Sequence, residues 1–162
     1  MRMRLIGCIG VTLWTAAMAS AQAPDGGLPP ELRGHVQGAR FDAVSSIRGL
    51  PLGVRGELQN LFGTQTFDMA EQDEPFQGSS PTADVRLPRR RLVAAGCSYE
   101  DCLVSYEQGT RGALTQRVLL FHWTPAATKF EWGGAAPGSL TTIDALRRAV
   151  LSGAIRTSTG PW

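Results

Sequence analysis

Four short runs in the second half of the chain limit its fold more than any other feature. Residues 92–97, 102–107, 116–123 and 129–133 are rich in apolar, β-branched or aromatic residues, and the turn-like stretches GCSYED, QGTRGA and TPAAT separate them. Parallel neighbours need a crossover of about a dozen residues or more, so links this short make antiparallel pairs. The pattern predicts a four-strand antiparallel meander. In 118–123 every residue except His122 is apolar, which marks a central strand covered on both faces. Period-two alternation puts Phe130 and Trp132 on one face, and Tyr106 on the same side as Val104 and Cys102.

Helical spacing brackets the meander. Pro51 suits the first turn of a helix, Val54, Leu58, Leu61 and Phe62 form one apolar stripe, and Gly63 can close it in a left-handed conformation. After the meander, Thr141 and Asp144 read as a capping box ahead of the stripe Ile143, Leu146, Val150 and Leu151, with Gly153 as the stop. Arg147 and Arg148 lie toward the negative end of that helix dipole. Pro30 opens a short helix through Leu32 and Val36, a helical N-terminal segment. Residues 41–47 fit a helix and a strand equally, and 64–70 read as a strand. The acidic, turn-rich stretch 71–84, from Glu71 to Asp84, reads as a long surface loop. A helix that follows an antiparallel sheet must bury its stripe against one sheet face. The expected fold is therefore α+β in two layers, the meander packed against the C-terminal helix.

The first residues bear on where the protein works. Arg2 and Arg4 precede an uncharged, mostly apolar run, and Ala19-Ser20-Ala21 is a small-x-small cleavage signal. Residues 1–21 read as a secretory signal peptide, with an apolar part too short to span a bilayer comfortably. Leu5-Ile6-Gly7-Cys8 resembles a lipidation box only superficially, because it stands at the beginning of the apolar run and not after it. The expected organisation is a signal peptide at 1–21, a loose leader at 22–29, one α+β domain at 30–156 and a tail at 157–162. About 140 residues suffice for one domain with a proper core. Of the 16 basic residues, Arg2 and Arg4 belong to the signal, so 14 bases face 14 acids in the exported chain. Such a chain has no general field for nucleic acid or anionic lipid. Arg89-Arg90-Arg91 reads as the solvated start of a strand. All its bases except Lys129 are arginine, a bias that fits a GC-rich bacterial source and a periplasmic or secreted home.

With Cys8 removed, Cys97 and Cys102 remain, an even pair bound for an oxidising compartment, and a disulfide is the default. A redox catalyst would place two residues between its cysteines, whereas four intervene here, and Glu100 and Asp101 would raise a thiol pKa. Zinc needs three or four ligands, and His35 lies in a separate region from Cys97, Cys102 and His122. Neither a metal nor a cofactor is expected.

Candidate chemistry centres on His122 in LLFHW. If Glu107 lies beside Thr115, hairpin counting sets His122 near Glu100, under the disulfide loop, and a histidine beside Glu100, Asp101 or Glu107 is a possible general base. Neither Ser98 nor Ser105 sits in a nucleophile elbow, and no phosphate loop or dinucleotide fingerprint is present. Tyr99, Tyr106 and Trp123 would make a binding surface if they project from an uncovered face. The leading expectation is an exported, non-catalytic domain that binds a protein or envelope component. The alternatives are a hydrolase-type enzyme using His122 and a purely structural envelope protein. Apolar surface around Tyr99, Tyr106 and His122 would favour the binder, and a polar cleft the enzyme.

Overall fold

The alternating runs form the centre of a larger sheet. The computed structural model describes residues 26–78, 84–110, 113–159 and 162; the expected signal peptide, the leader through residue 25 and residues 79–83 of the acidic loop lie outside them. Strands β1 (Asp42–Val44), β2 (Arg90–Cys97), β3 (Asp101–Thr110), β4 (Ala113–Trp123), β5 (Thr128–Ala135) and β6 (Arg156–Thr157) make one antiparallel sheet in sequence order. The sheet thus has six strands where the sequence suggests four. The added edges are three and two residues long, too short to show a period. Of the expected strand at 64–70, only Ala70 pairs, in an isolated bridge to Arg91. Past residue 156 the chain does not run free: Thr157 pairs in β6 and Trp162 packs against the core.

Helices cover both faces, so there are three layers and not two. On one face α2 (Leu52–Phe62) sets Val54, Leu58 and Phe62 onto Leu92, Val104, Leu119 and Phe121. On the other, Val36 of α1 (Pro30–Gly38) joins Leu146 and Val150 of α3 (Ile143–Ser152) over Leu103, Val118, Leu120 and Trp132. This double cover explains the unbroken apolar run in β4. Burying each such Val or Leu side chain is worth about 1.5–3 kcal/mol.

Caps and bulges set the details. Gly63 and Gly153 end α2 and α3 with φ of 61° and 75°, a left-handed geometry that glycine adopts without strain. The cap of α3 is Thr142, whose Oγ1 accepts from the Ala145 amide at 3.2 Å, so Thr141 and Asp144 do not form the expected capping box. In β2 the register shifts at Val93, whose carbonyl accepts from Gln72 Nε2 at 2.9 Å. In β5, Leu120 faces Trp132 while Phe121 faces Phe130, which leaves Glu131 as an extra residue. That bulge overrides simple alternation: Phe130 packs in the α2-side core and Trp132 in the opposite one.

Candidate functional site

The β2–β3 turn is closed by the Cys97–Cys102 disulfide. Its neighbour across β4 differs by one residue from the hairpin count. Thr110 pairs with Ala113 through a two-residue link, so Glu107 faces Gln116 and Asp101 faces His122. Asp101, not Glu100, is therefore the carboxylate at His122: Nδ1 lies 3.8 Å from Oδ1, with the side chains 41 % and 9 % exposed. Burial raises the Asp101 carboxyl above its ordinary range, and His35 and His122 pull it partly back. The fold brings His35 of α1 toward the same carboxylate, an approach hidden in the sequence because α1 is remote along the chain. Together with Tyr99, His35 and Asp101 line a hollow of about 410 Å³.

The remaining catalytic candidates do not join them. Glu107 lies far along β3 and pairs with Arg91 at 2.9 Å, and Glu100 is exposed at the turn. The Ser98 hydroxyl donates to the Asp101 carbonyl and accepts from the Asp101 amide, at 3.2 and 3.0 Å. Ser105 is buried and accepts from Gln116 Nε2 at 2.6 Å. Both hydroxyls are engaged in holding structure, so neither stands as an activated nucleophile beside His122.

The three aromatic candidates also part company. Tyr106 is fully buried, edge-on to Phe62 at 5.3 Å, and burial pushes its phenol up to about 12. It belongs to the core and is no part of an exposed aromatic face, because α2 covers the side expected to be open. Tyr99 is 86 % exposed at the tip of the disulfide turn. Trp123 is half-buried, donates from Nε1 to the Ser98 carbonyl at 3.2 Å and borders a hollow of about 490 Å³ between α2 and the β4–β5 link.

That hollow has a counterpart of about 580 Å³ on the other side of α2, floored by Phe67 and Met69. Leu52 and Gly56 line both. They stand four residues apart on one face of the helix. Leu52 is 76 % exposed and projects as an apolar ridge, whereas Gly56 leaves a dip beside it. Leu52 falls outside the Val54–Leu58–Phe62 stripe, and that misplacement is the signal by which the surface could have been found in the sequence. Comparison of the chain with protein-family models, with curated proteins and with solved structures returns no match.

Proposed function

We propose that the protein is an exported, non-catalytic module that binds another protein through the outer face of α2. The observation that carries this reading is Leu52, a large apolar side chain held out from a well-anchored helix between two hollows. Aromatic and aliphatic anchors seated in or beside pockets supply most of the energy of protein interfaces. The balanced charge expected of the exported chain gives no field for nucleic acid or anionic lipid, and a tied β2–β3 turn suits an oxidising compartment.

The test is a pull-down from periplasmic and secreted extracts with the wild-type protein, Leu52→Asp and Tyr99→Ala, all checked for equal thermal stability. A partner retained by wild type and Tyr99→Ala but lost with Leu52→Asp supports the reading. Recovery that is the same with Leu52→Asp, or no partner above background, overturns it.

A second reading, a hydrolase-type enzyme, draws support from the approach of His35 and His122 to Asp101. It requires a turnover that His122→Ala abolishes with the fold intact. A broad panel of ester, amide and glycoside substrates giving no His122-dependent turnover would remove it.

A further inference from the structure

At the end of the sheet nearest the C-terminus of α2, three polar side chains form a row on one face. Tyr106 of β3 faces Arg117 of β4 directly, and Arg90 stands two residues from Leu92, the partner of Tyr106 on β2. Arg90 is only 6 % exposed. Its guanidinium stacks 3.9 Å from the centre of the Phe62 ring, Nη1 donates to Asp68 Oδ2 at 2.8 Å, and Nη2 donates to the main-chain oxygen of Trp162. The Trp162 indole lies edge-on to Phe130 at 5.4 Å, with the Arg117 guanidinium 5.8 Å from its ring. Gly133 forms the seat, since a Cβ there would stand 2.7 Å from the indole. Arg117 Nη1 donates to Ser158 Oγ at 2.7 Å.

This is an unusual way to fill the end of a core. A buried guanidinium is costly unless its donors and charge are both met, and apolar residues would close the same space at less cost. Here they are not fully met. Arg90 Nε, Arg117 Nε and the Tyr106 hydroxyl are all buried without a hydrogen-bond partner among the described residues. The phenol lies close enough to Arg90 for the guanidinium to favour its ionised form, but the contact falls short of a well-formed hydrogen bond. Asp68 also serves Arg89 at 2.7 Å, so one carboxylate is shared by two guanidinium groups while Arg117 adds a third charge. The row therefore retains more donors and more positive charge than Trp162 and Asp68 use. Its unmet donors, one Nε–H on each of two arginines and the phenol O–H, suit a carboxylate, whose two oxygens can accept several such bonds at once. Beside them lies a seat shaped for a flat ring.

We propose that Arg90, Tyr106 and Arg117, with Phe62, Phe130 and Gly133, form a binding site for an aromatic carboxylate, and that Trp162 occupies it intramolecularly. The class of ligand is an aryl or indole ring carrying a carboxyl group one short linker away. This site is separate from the α2 surface and stands whether or not that surface binds a partner.

The experiment frees the site after folding. A protease recognition sequence is inserted after Thr159 of the full chain, the disulfide-bonded protein is cut, and the fragment bearing Trp162 is removed by dialysis. Calorimetric titration then uses N-acetyl-L-tryptophan, its amide and N-acetyl-L-leucine. The expected result is saturable binding of the acid with Kd on the order of 1 mM or tighter, and binding at least about tenfold weaker for the amide and for leucine. Arg117→Met should abolish the preference for the acid. No saturable binding to a cut protein that keeps its circular dichroism would overturn the proposal, and so would equal affinity for acid and amide. If cutting unfolds the chain, Trp162→Gly in the uncut protein takes its place. The acid, but not N-acetyl-L-leucine, should raise the unfolding midpoint with concentration, and no rise overturns the proposal. A wild-type dimer that dissociates on Trp162→Gly would put Trp162 in a neighbouring copy and overturn the intramolecular assignment.

Discussion

Two glycines one turn apart in α2 should respond in opposite directions to the same substitution. Alanine is favoured over glycine in a helix by about 0.8–1.0 kcal/mol. At Gly56 an added Cβ meets nothing within 4 Å, so Gly56→Ala should realise most of that gain. At Gly53 an ideal Cβ would lie 2.0 Å from Thr128 Oγ1 and 3.0 Å from Thr128 Cβ. Rotating the hydroxyl relieves the first contact but not the second, so the start of α2 must lift from β5. Overpacking of this kind costs about 1–3 kcal/mol, more than the propensity gain near a helix N-terminus. Gly53→Ala should thus be destabilising by about 1–2 kcal/mol net, with the two variants separated by about 2–3 kcal/mol. Urea denaturation at unchanged m resolves such a gap as a shift in midpoint. Thr128→Ala, which removes Oγ1 and Cγ2, should recover part of the Gly53→Ala loss in a double-mutant cycle. A Gly53→Ala protein as stable as wild type, or a cycle without coupling, would refute the docking of α2 on β5. Because Gly56 lies in the proposed partner surface, a Gly56→Ala protein that is more stable yet recovers less partner would separate binding from folding.

Reduction of the Cys97–Cys102 bridge, or its replacement by two alanines, should cost about 2 kcal/mol, the chain-entropy value for so short a loop, read as a fall in urea midpoint. Asp101→Asn should be more stable than wild type at neutral pH. A carboxyl whose folded pKa is raised contributes stability below its ordinary value of 3.8 and loses it as pH rises through the folded value, so the advantage of Asn should vanish in melting curves near about pH 3. An advantage independent of pH would contradict the burial argument. Tyr106, raised to about 12 by burial, should cost the fold about 2–3 kcal/mol as pH climbs from 10 to 12, because the unfolded chain ionises first. Tyr106→Phe should flatten that alkaline slope and leave neutral stability equal or slightly higher, since it removes a hydroxyl without a partner.

The central sheet was legible because its signal is local. Period-two runs joined by short links allow few arrangements, and the double-sided apolar run of β4 implies cover on both faces, whereas the C-terminal helix alone accounts for only one. The helix stops at Gly63 and Gly153 were legible for the same reason. What escaped was set by tertiary contact. The edge strands β1 and β6 are too short to carry a period and exist through pairing with β2 and β5. The bulge at Glu131 leaves no mark on composition, yet it sends Phe130 and Trp132 to opposite faces.

The site was less legible because a one-residue change in register exchanges every cross-strand neighbour. Setting Glu107 beside Thr115, one residue short of its partner Gln116, puts Glu100 opposite His122 where the two-residue link sets Asp101. Arg90 shows a different failure. In a run of three arginines each looks solvated, but Arg90 shares its strand face with Leu92, two residues on, and that face is the core. Alternation alone demanded a buried guanidinium there. A buried guanidinium demands acceptors, and the described residues supply the Asp68 carboxylate, which is shared with Arg89, and the main-chain oxygen of Trp162. Because that supply falls short of the donors present, the row keeps a capacity for an anion that packing by itself would not have required.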